Sequence, residues 1–404
     1  MAPWRVLLVH ERYQQAGGED GVFDAQVELL RRRGHDVELL EVDNDEIPAS
    51  PSVPERLHLA IDTVWSRSGA QRVRAAIRSF RPDVLHAHNT FPLLSPAIHS
   101  AARAEGVATV QTLHNYRLIC PSAILFRDGQ PCHDCVGLPV ALPGVIHACY
   151  RDSRAASATV AAMSAVHRAR RTWTRDVDRF VVLAPFAKLW LARGGIPASR
   201  TTVRPNFVDR PIRPLDRGDA GDGFLFVGRL AEEKGIATLL EAWDRLPAEI
   251  RLTIAGSGPL ESMVVAAASR HPGITYVGRL SAGAIDAELG RARALIVPSI
   301  WYEVCPLTVL EAYAAGRPVI ASGHGGLADL VVDGVTGRHV PPGDPMALAA
   351  AVREAWADPD GMRALGSAAQ AAYIAEYTPA RGYTGLLEVY GQAVQRRRGA
   401  GAEA

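Results

Sequence analysis

The chain reads as an α/β protein with two Rossmann-like doubly wound domains facing across a cleft and a C-terminal helix crossing back. Three observations predict this. Short runs centred on continuous Val, Ile and Leu recur along the chain, the pattern of parallel strands buried on both faces. Amphipathic segments of helical period separate them, giving the β–α–β alternation of doubly wound layers. The 404 residues allow two or three domains at about 100–200 residues each, and periodicity breaks at Asp209–Asp222, where Pro211, Pro214, Gly218 and Gly221 fall.

The N-terminal domain, residues 1–208, draws its strands from Arg5–Val9, Val37–Glu41, Val84–His88, Val107–Leu113, Arg179–Leu183 and Thr201–Arg204. Gly21–Arg33 and Pro92–Glu105 supply helices between them. Residues 209–222 form the linker. The C-terminal domain, residues 223–378, takes strands from Phe224–Gly228, Arg251–Gly256, Ile274–Gly278, Ala294–Pro298, Pro318–Ser322 and Arg338–Val340. Its helices are Ile236–Arg245, Leu260–Ser269 and Pro306–Ala315, and residues 379–404 hold the crossing helix and tail. Open α/β sheets bind ligands beyond the carboxyl ends of their strands, so the expected cleft is that of an enzyme.

Composition narrows the class. Hydrophobic residues at 48% and charged residues at 22% exclude disordered and fibrous chains. Lys plus Arg at 44 against Asp plus Glu at 43 leaves +1, no global field for gripping nucleic acid. No apolar run approaches the ~18 residues that span a bilayer, and Val6–Val9 is too short for a signal-peptide core. The expectation is a cytoplasmic protein whose 5 Cys are thiols or metal ligands rather than disulfides.

The densest chemistry runs from Ala294 to Gly316, where a strand ends near Ser299 and a helix opens near Pro306. Proline suits the first helical position because its missing N–H costs nothing there. The amides of Leu307, Thr308 and Val309 are then expected to point out unsatisfied, a ready site for a phosphate. Glu303 precedes that site and Glu311 lies within the helix; a carboxylate accepts hydrogen bonds in pairs, as vicinal hydroxyls require. In Phe224–Gly235 a strand delivers Gly228, Arg229 and Lys234, two cations able to neutralise a diphosphate without a metal. In the first half, Gly17 and Gly18 let backbone approach a ligand, and a strand ends in Thr112-Leu113-His114-Asn115, with His114 at the cleft edge. Taken singly, each residue also fits a plainer role: Glu303 or Asp20 as a helix cap, Glu311 as a solvated helix residue, Arg229 and Lys234 as surface charge, His114 as a structural histidine. Gly256-Ser257-Gly258 lacks the third glycine of a dinucleotide fingerprint, and no GxxxxGK[ST] loop is present. Asp43-Asn44-Asp45 and Asp176-Val177-Asp178 read as loop or helix-surface charge.

Together these residues resemble the retaining glycosyltransferases of family 4, which have the two-Rossmann GT-B fold. VGRLAEEKG, IAGSGPLE, YVGRL, the E-x7-E pair and RPVIASGHGGLADLVVDGVTGRHVPPGD occur in that family's order between Phe224 and Asp344. The Gly-rich loop, DVLHAHNTF and TLHNYR look like its N-terminal landmarks. The resemblance implies that Arg229 and Lys234 hold a donor diphosphate, Glu311 the ribose hydroxyls and Glu303 the transferred sugar. It places His114 beside that sugar and Gly17 and Gly18 near the phosphates or acceptor, and it adds Gly278, Leu307 and Thr308 to the donor-binding set. The donor so implied is a nucleotide-diphosphate sugar, UDP- or GDP-linked, used without a catalytic cofactor; the partner is a hydroxyl acceptor in polysaccharide, glycolipid or metabolite synthesis. Val304-Cys305-Pro306-Leu307 departs from the family's usual Gly-Phe-Gly-Leu, and Pro306 has no N–H to give. Two rivals share the architecture: a nucleotide-sugar epimerase or hydrolase, which turns over donor alone, and a non-catalytic GT-B subunit, which has no need of Arg229, Lys234, Glu303 and Glu311.

Two further expectations concern the first half. Cys120, Cys132, Cys135 and Cys149 are spaced C-x11-C-x2-C-x13-C in a Pro/Gly-rich segment, and the central pair suits a structural zinc. The same four residues also fit plain thiols. Arg151–Arg179 reads as a long helix bringing Arg168, Arg171 and Arg175 to one face, with Trp173 among them. Such a face can rest on anionic headgroups at the inner membrane face and meet a lipid-linked acceptor; a solvated helix face is the plainer reading.

Overall fold

A computed structural model describes residues 3–14, 17–48, 50–211 and 221–402. The chain divides into two compact units: the described residues of Met1–Leu125, His133–Pro205 and Gly382–Ala404, and those of Phe126–Cys132 and Asn206–Arg381.

The first unit begins with β1 (Arg5–Arg12), α1 (Gly18–Arg32), β2 (Asp36–Asp43), α2 (Val53–Trp65), α3 (Arg67–Phe80), β3 (Val84–Ala87), α4 (Ala97–Ala104) and β4 (Ala108–Leu113). A two-residue hairpin, β5 (Phe126–Arg127) and β6 (Gln130–Pro131), belongs to the second unit. The first unit resumes with α5 (Leu142–Ile146), α6 (Arg154–Ala169), β7 (Arg179–Val182), α7 (Pro185–Arg193) and β8 (Thr201–Val203). Its sheet is parallel, ordered β2-β1-β3-β4-β7-β8. Val6 pairs with Val37 on one side and Val84 on the other, so Val6–Val9 is buried on both faces, as a continuous apolar run requires. Helix α3 turns Val73 and Ile77 into this core, which Leu7, Val9, Leu85 and Ile98 complete.

The second unit runs β9 (Phe224–Val227), α8 (Ile236–Trp243), β10 (Leu252–Ala255), α9 (Glu261–Arg270), β11 (Ile274–Gly278), α10 (Ala282–Arg291), β12 (Ala294–Val297), α11 (Leu307–Ala314), β13 (Val319–Ser322), α12 (Gly325–Leu330), β14 (Gly337–Val340), α13 (Pro345–Ala357) and α14 (Pro359–Ala372). Its parallel sheet is ordered β11-β10-β9-β12-β13-β14. Trp243 is fully buried among Phe224, Ile250 and Leu252, with its indole N–H donated to Ile250 O at 3.0 Å, so the ring is buried without a lost hydrogen bond. Each aliphatic side chain buried there contributes about 1.5–3 kcal/mol. The last helix, α15 (Pro379–Ala402), belongs to the first unit from Gly382 on; Val389, Tyr390 and Ala393 are buried, and Tyr383 OH lies 2.8 Å from His35 Nε2.

Topology tells where ligands belong. Strand order reverses between β1 and β3 in the first sheet and between β9 and β12 in the second, and the crevice beyond the carboxyl ends at such a reversal is the ligand position of open α/β sheets.

The structure corrects several expectations. Arg151–Arg179 is not one helix: α6 ends at Ala169, Arg171 is left-handed at φ 61°, and Thr172–Asp176 forms a separate wide turn. Arg168, Arg171 and Arg175 therefore share no helical face, and Trp173 is buried. Asp176 and Asp178 are buried rather than surface charge: Asp176 accepts from Ser100 and Arg175, and Asp178 from Thr109 N–H and Arg397. The expected linker falls mostly on 212–220, outside the described residues. Among the described residues no helix is long and apolar enough to cross a membrane.

Candidate active site

In the second unit the loops after β9 and β12, the two strands flanking the reversal, bring charged groups together. Lys234 Nζ lies 2.6 Å from Glu303 Oε1, which also accepts from Ser299 Oγ at 2.8 Å. The ammonium sits 5.1 Å from the Trp301 ring centroid, a cation–π contact that holds it in place. Glu303 is 4% exposed, and its backbone carbonyl accepts the Gly326 N–H at 2.8 Å, tying the loop to α12. Arg229 pairs with Glu233 instead, and Glu311 pairs with Arg210 Nη2 at 2.6 Å. The expected residues thus resolve into three cation–carboxylate pairs.

Glycines make this packing possible. A Cβ on Gly235, which has φ +72°, would stand 1.9 Å from Pro298 O, so the loop bearing Lys234 closes on the end of β12 only with glycine there. Gly278 ends β11 at φ +69°, and its carbonyl accepts the Gly256 N–H at 2.8 Å.

Pro306 proves to be the N-cap of α11, with Leu307 the first helical residue. Of the three amides expected to point outward, Val309 N–H is used, donating to Pro306 O at 3.2 Å; those of Leu307 and Thr308 lie at the positive end of the helix dipole. Burial pushes the Cys305 thiol up to about 12, so it stays protonated and is no nucleophile at neutral pH.

In the first unit β1 and β3 carry His10 and His86, and His88 and His114 directly follow β3 and β4. His114 Nε2 meets His88 Nδ1 at 3.0 Å. His86 joins Thr112 Oγ1 at 2.8 Å and Tyr390 OH at 2.9 Å, and His10 Nε2 lies 2.8 Å from Asp20 Oδ1. Burial lowers the pKa of His86 to about 3, and burial also lowers those of His88 and His114, so these rings are neutral near pH 7. Gly17 precedes α1 and Gly18 opens it; Gly17 N–H donates to Asp20 Oδ2 at 2.8 Å. Asn115 Nδ2 donates to Glu19 Oε1 at 2.7 Å, linking the His114 loop to the start of α1. Glu19, His88, His114, Asn115 and Arg117 line a cavity of about 30 Å³.

The zinc expectation finds no support in the geometry. Among the described residues no group of three or more His, Cys, Asp or Glu side chains is gathered to hold a metal ion. Cys120 Sγ lies 3.2 Å from Ser122 Oγ, and Cys135 Sγ accepts the Gly144 N–H at 3.2 Å, so these sulfurs meet local hydroxyl and backbone groups.

Sequence reading passed over Ser299, Glu233, Arg210 and His88. Glu233 and Ser299 stand beside recognised residues and could have been found there. His88 shares a strand end with His86 in H-A-H. Arg210 lies 101 positions from its partner, and no local signal points to it.

Comparison with known proteins adds to this geometry. Residues 17–210 match the family model described as Glycosyltransferase Family 4, and residues 215–372 that described as Glycosyl transferases group 1. The glycogen synthase of Mycobacterium tuberculosis is 29% identical over 333 residues, 78% of this chain and 69% of that protein. Among solved structures, Anabaena HepE in complex with UDP and glucose superposes with a TM-score of 0.67 at 15% identity, covering 96% of this chain and 99% of that one. Sucrose-phosphate synthase from Thermosynechococcus elongatus gives 0.66 at 20% identity, covering 99% and 100%. At these identities the structural likeness speaks for the fold.

Proposed function

Because the chain belongs to family 4 of the glycosyltransferases and has their GT-B fold, so that its activity is sugar transfer, we propose that it is a retaining enzyme moving a hexosyl group from a UDP- or GDP-sugar to a hydroxyl acceptor. The observation that carries this reading is the Lys234–Glu303–Ser299 cluster at the strand reversal of the second sheet. Glu303, already bonded by Lys234 and Ser299, keeps its second oxygen for a sugar hydroxyl. Lys234, Arg229 and the amino end of α11 supply positive potential where a departing diphosphate gains charge. His114 is read as meeting the transferred sugar, Gly17 and Gly18 as meeting phosphates or acceptor, and Gly278, Leu307 and Thr308 as lining the donor.

In the step proposed, the acceptor hydroxyl oxygen forms a bond to the anomeric carbon on the face from which the phosphate oxygen leaves. The anomeric C–O(phosphate) bond breaks and the hydroxyl proton passes to the departing phosphate, so configuration is retained and atoms balance. The chain's part is orientation and charge stabilisation. The UDP complex of the structurally similar Anabaena protein supports trying UDP first. Because the Arg168–Arg171–Arg175 face is not formed, the reading stops at a hydroxyl acceptor, without specifying a lipid-linked one at the membrane. The test is incubation with UDP- and GDP-sugars, with and without candidate hydroxyl acceptors. Acceptor-dependent release of nucleotide with a retained anomeric product is expected; equal turnover of donor alone would make the protein an epimerase or hydrolase.

A further inference from the structure

Within the second unit, a strap of backbone before the start of β9 remains without a role. Residues Asn206–Arg210 are clipped down at three points. Asn206 Nδ2 donates to Cys305 O at 3.0 Å, Val208 N–H donates to Tyr377 O at 3.2 Å, and Tyr373 OH donates to Val208 O at 2.9 Å. Asn206, Val208 and Tyr373 are buried, so the strap's course is fixed by packing as well as by hydrogen bonds. That course delivers Arg210 to α11, where Nη2 stands 2.6 Å from Glu311 Oε1, while Nε lies 3.6 Å from Asp286 Oδ1 on α10.

Glu311 is 8% exposed. A carboxylate so buried needs a cation and hydrogen-bond donors to remain charged at modest cost. Arg210 supplies both through a planar guanidinium, which fixes the carboxylate's orientation as a flexible ammonium does not. With Oε1 committed to Arg210, Oε2 is the oxygen left for a ligand. An ionised oxygen accepts two hydrogen bonds, matching two adjacent hydroxyls on one ring.

We propose that Arg210 is a positioning and specificity-determining residue: by holding Glu311 Oε1 it presents Oε2 to the vicinal hydroxyls of a nucleoside ribose, so that the site selects ribonucleoside over deoxyribonucleoside diphosphates. The proposal rests on the reading that Glu311 meets the ribose of the donor. A site built to bond a hydroxyl rejects the analogue lacking it far more strongly than an apolar pocket rejects an extra one, because its own polar group is left unpaired.

Calorimetric titration of the full chain with UDP and 2′-deoxy-UDP, or with GDP and 2′-deoxy-GDP if GDP is the diphosphate bound, tests this. The wild type is expected to favour the ribonucleotide by about tenfold or more. Arg210→Gln should bring that ratio close to one through lost ribonucleotide affinity, and Arg210→Lys, which keeps charge but not the planar fork, should restore part of it. An Arg210→Gln protein that keeps the wild-type ratio, or weakens both nucleotides equally, overturns the role of Arg210. Glu311→Gln separates the two layers: if it loses the ratio while Arg210→Gln keeps it, only this inference falls. If Glu311→Gln keeps the ratio, or the wild type binds neither diphosphate, the donor-site reading beneath it falls.

Discussion

The two sheets are built alike, yet they differ in where buried charge resides. In the second unit, among the described residues, the buried carboxylates are Glu233, Glu303 and Glu311, and each pairs with a cation of the candidate site: Arg229, Lys234 and Arg210. In the first unit, apart from the histidines gathered near the strand ends, buried titratable groups are scattered. Glu11 anchors the Leu93 and Leu94 amides, Asp178 grips Arg397 on the last helix, and His99 and His167 lie on helices away from the strand ends. Buried carboxylates therefore gather at the candidate site in one unit and serve mostly architecture in the other.

Breaking an architectural pair should cost most in stability. Asp178 accepts from Arg397 at 2.6 and 3.0 Å and from the Thr109 N–H at 2.8 Å, with both side chains at most a tenth exposed. Asp178→Ala leaves a buried guanidinium uncompensated, and a loss of about 3–5 kcal/mol is expected in denaturant unfolding.

Acid should next separate the units. Burial lowers His86 to about 3 and His99 and His167 to about 4, from 6.5. These rings are neutral in the fold, so their contribution is complete above pH 6.5. As pH falls below 6.5 the unfolded chain takes up protons that the folded one refuses until about 3–4, and stability drops. By pH 4.5 the loss is on the order of 2 kcal/mol per histidine. Glu11, raised to about 7 mainly by burial, opposes this: its contribution is full below 4.5 and lost as pH rises through 7. Hydrogen exchange corrected for intrinsic rates should show first-unit peptides loosening between pH 7 and 5, before those of the second unit.

Exposed pairs sharpen the contrast from the weak side. Glu241 and Arg245 form a solvent-exposed i,i+4 pair at 3.0 Å, and Glu241→Ala is expected to change stability by under about 1 kcal/mol. Smallest of all is the effect of chelation. With Arg229, Lys234 and a helix terminus supplying positive potential, EDTA should leave the transfer rate unchanged; activity lost in EDTA and restored by Mg²⁺ or Mn²⁺ would assign that potential to a metal.

Legibility followed the same division. Both six-stranded sheets were readable, because continuous Val, Ile and Leu in Val6–Val9 or Ala294–Val297 have one burial consistent with a parallel sheet. Lys234 and Glu303 stood out because each lies in the short connection between a strand end and the next helix. The unread features depend on distant partners or on backbone detail. Asp178 looks like surface charge until Arg397, 219 positions away, folds over it. Arg171 sits in an Ala/Val-rich stretch whose composition favours helix, and its left-handed break has no glycine to announce it. The hairpin at Phe126–Pro131 has strands too short for any period. Cysteine spacing alone could not say whether four sulfurs converge.

The most direct test is the initial rate of sugar transfer by purified Glu303→Gln beside the wild type, at matched thermal stability and saturating acceptor. Glutamine keeps the shape and one carbonyl acceptor but removes the charge paired with Lys234. A fall of about a hundredfold or more, with melting temperature within a few degrees of the wild type, is the predicted result. Wild-type turnover by the folded variant would contradict the assignment of this cluster to the donor sugar.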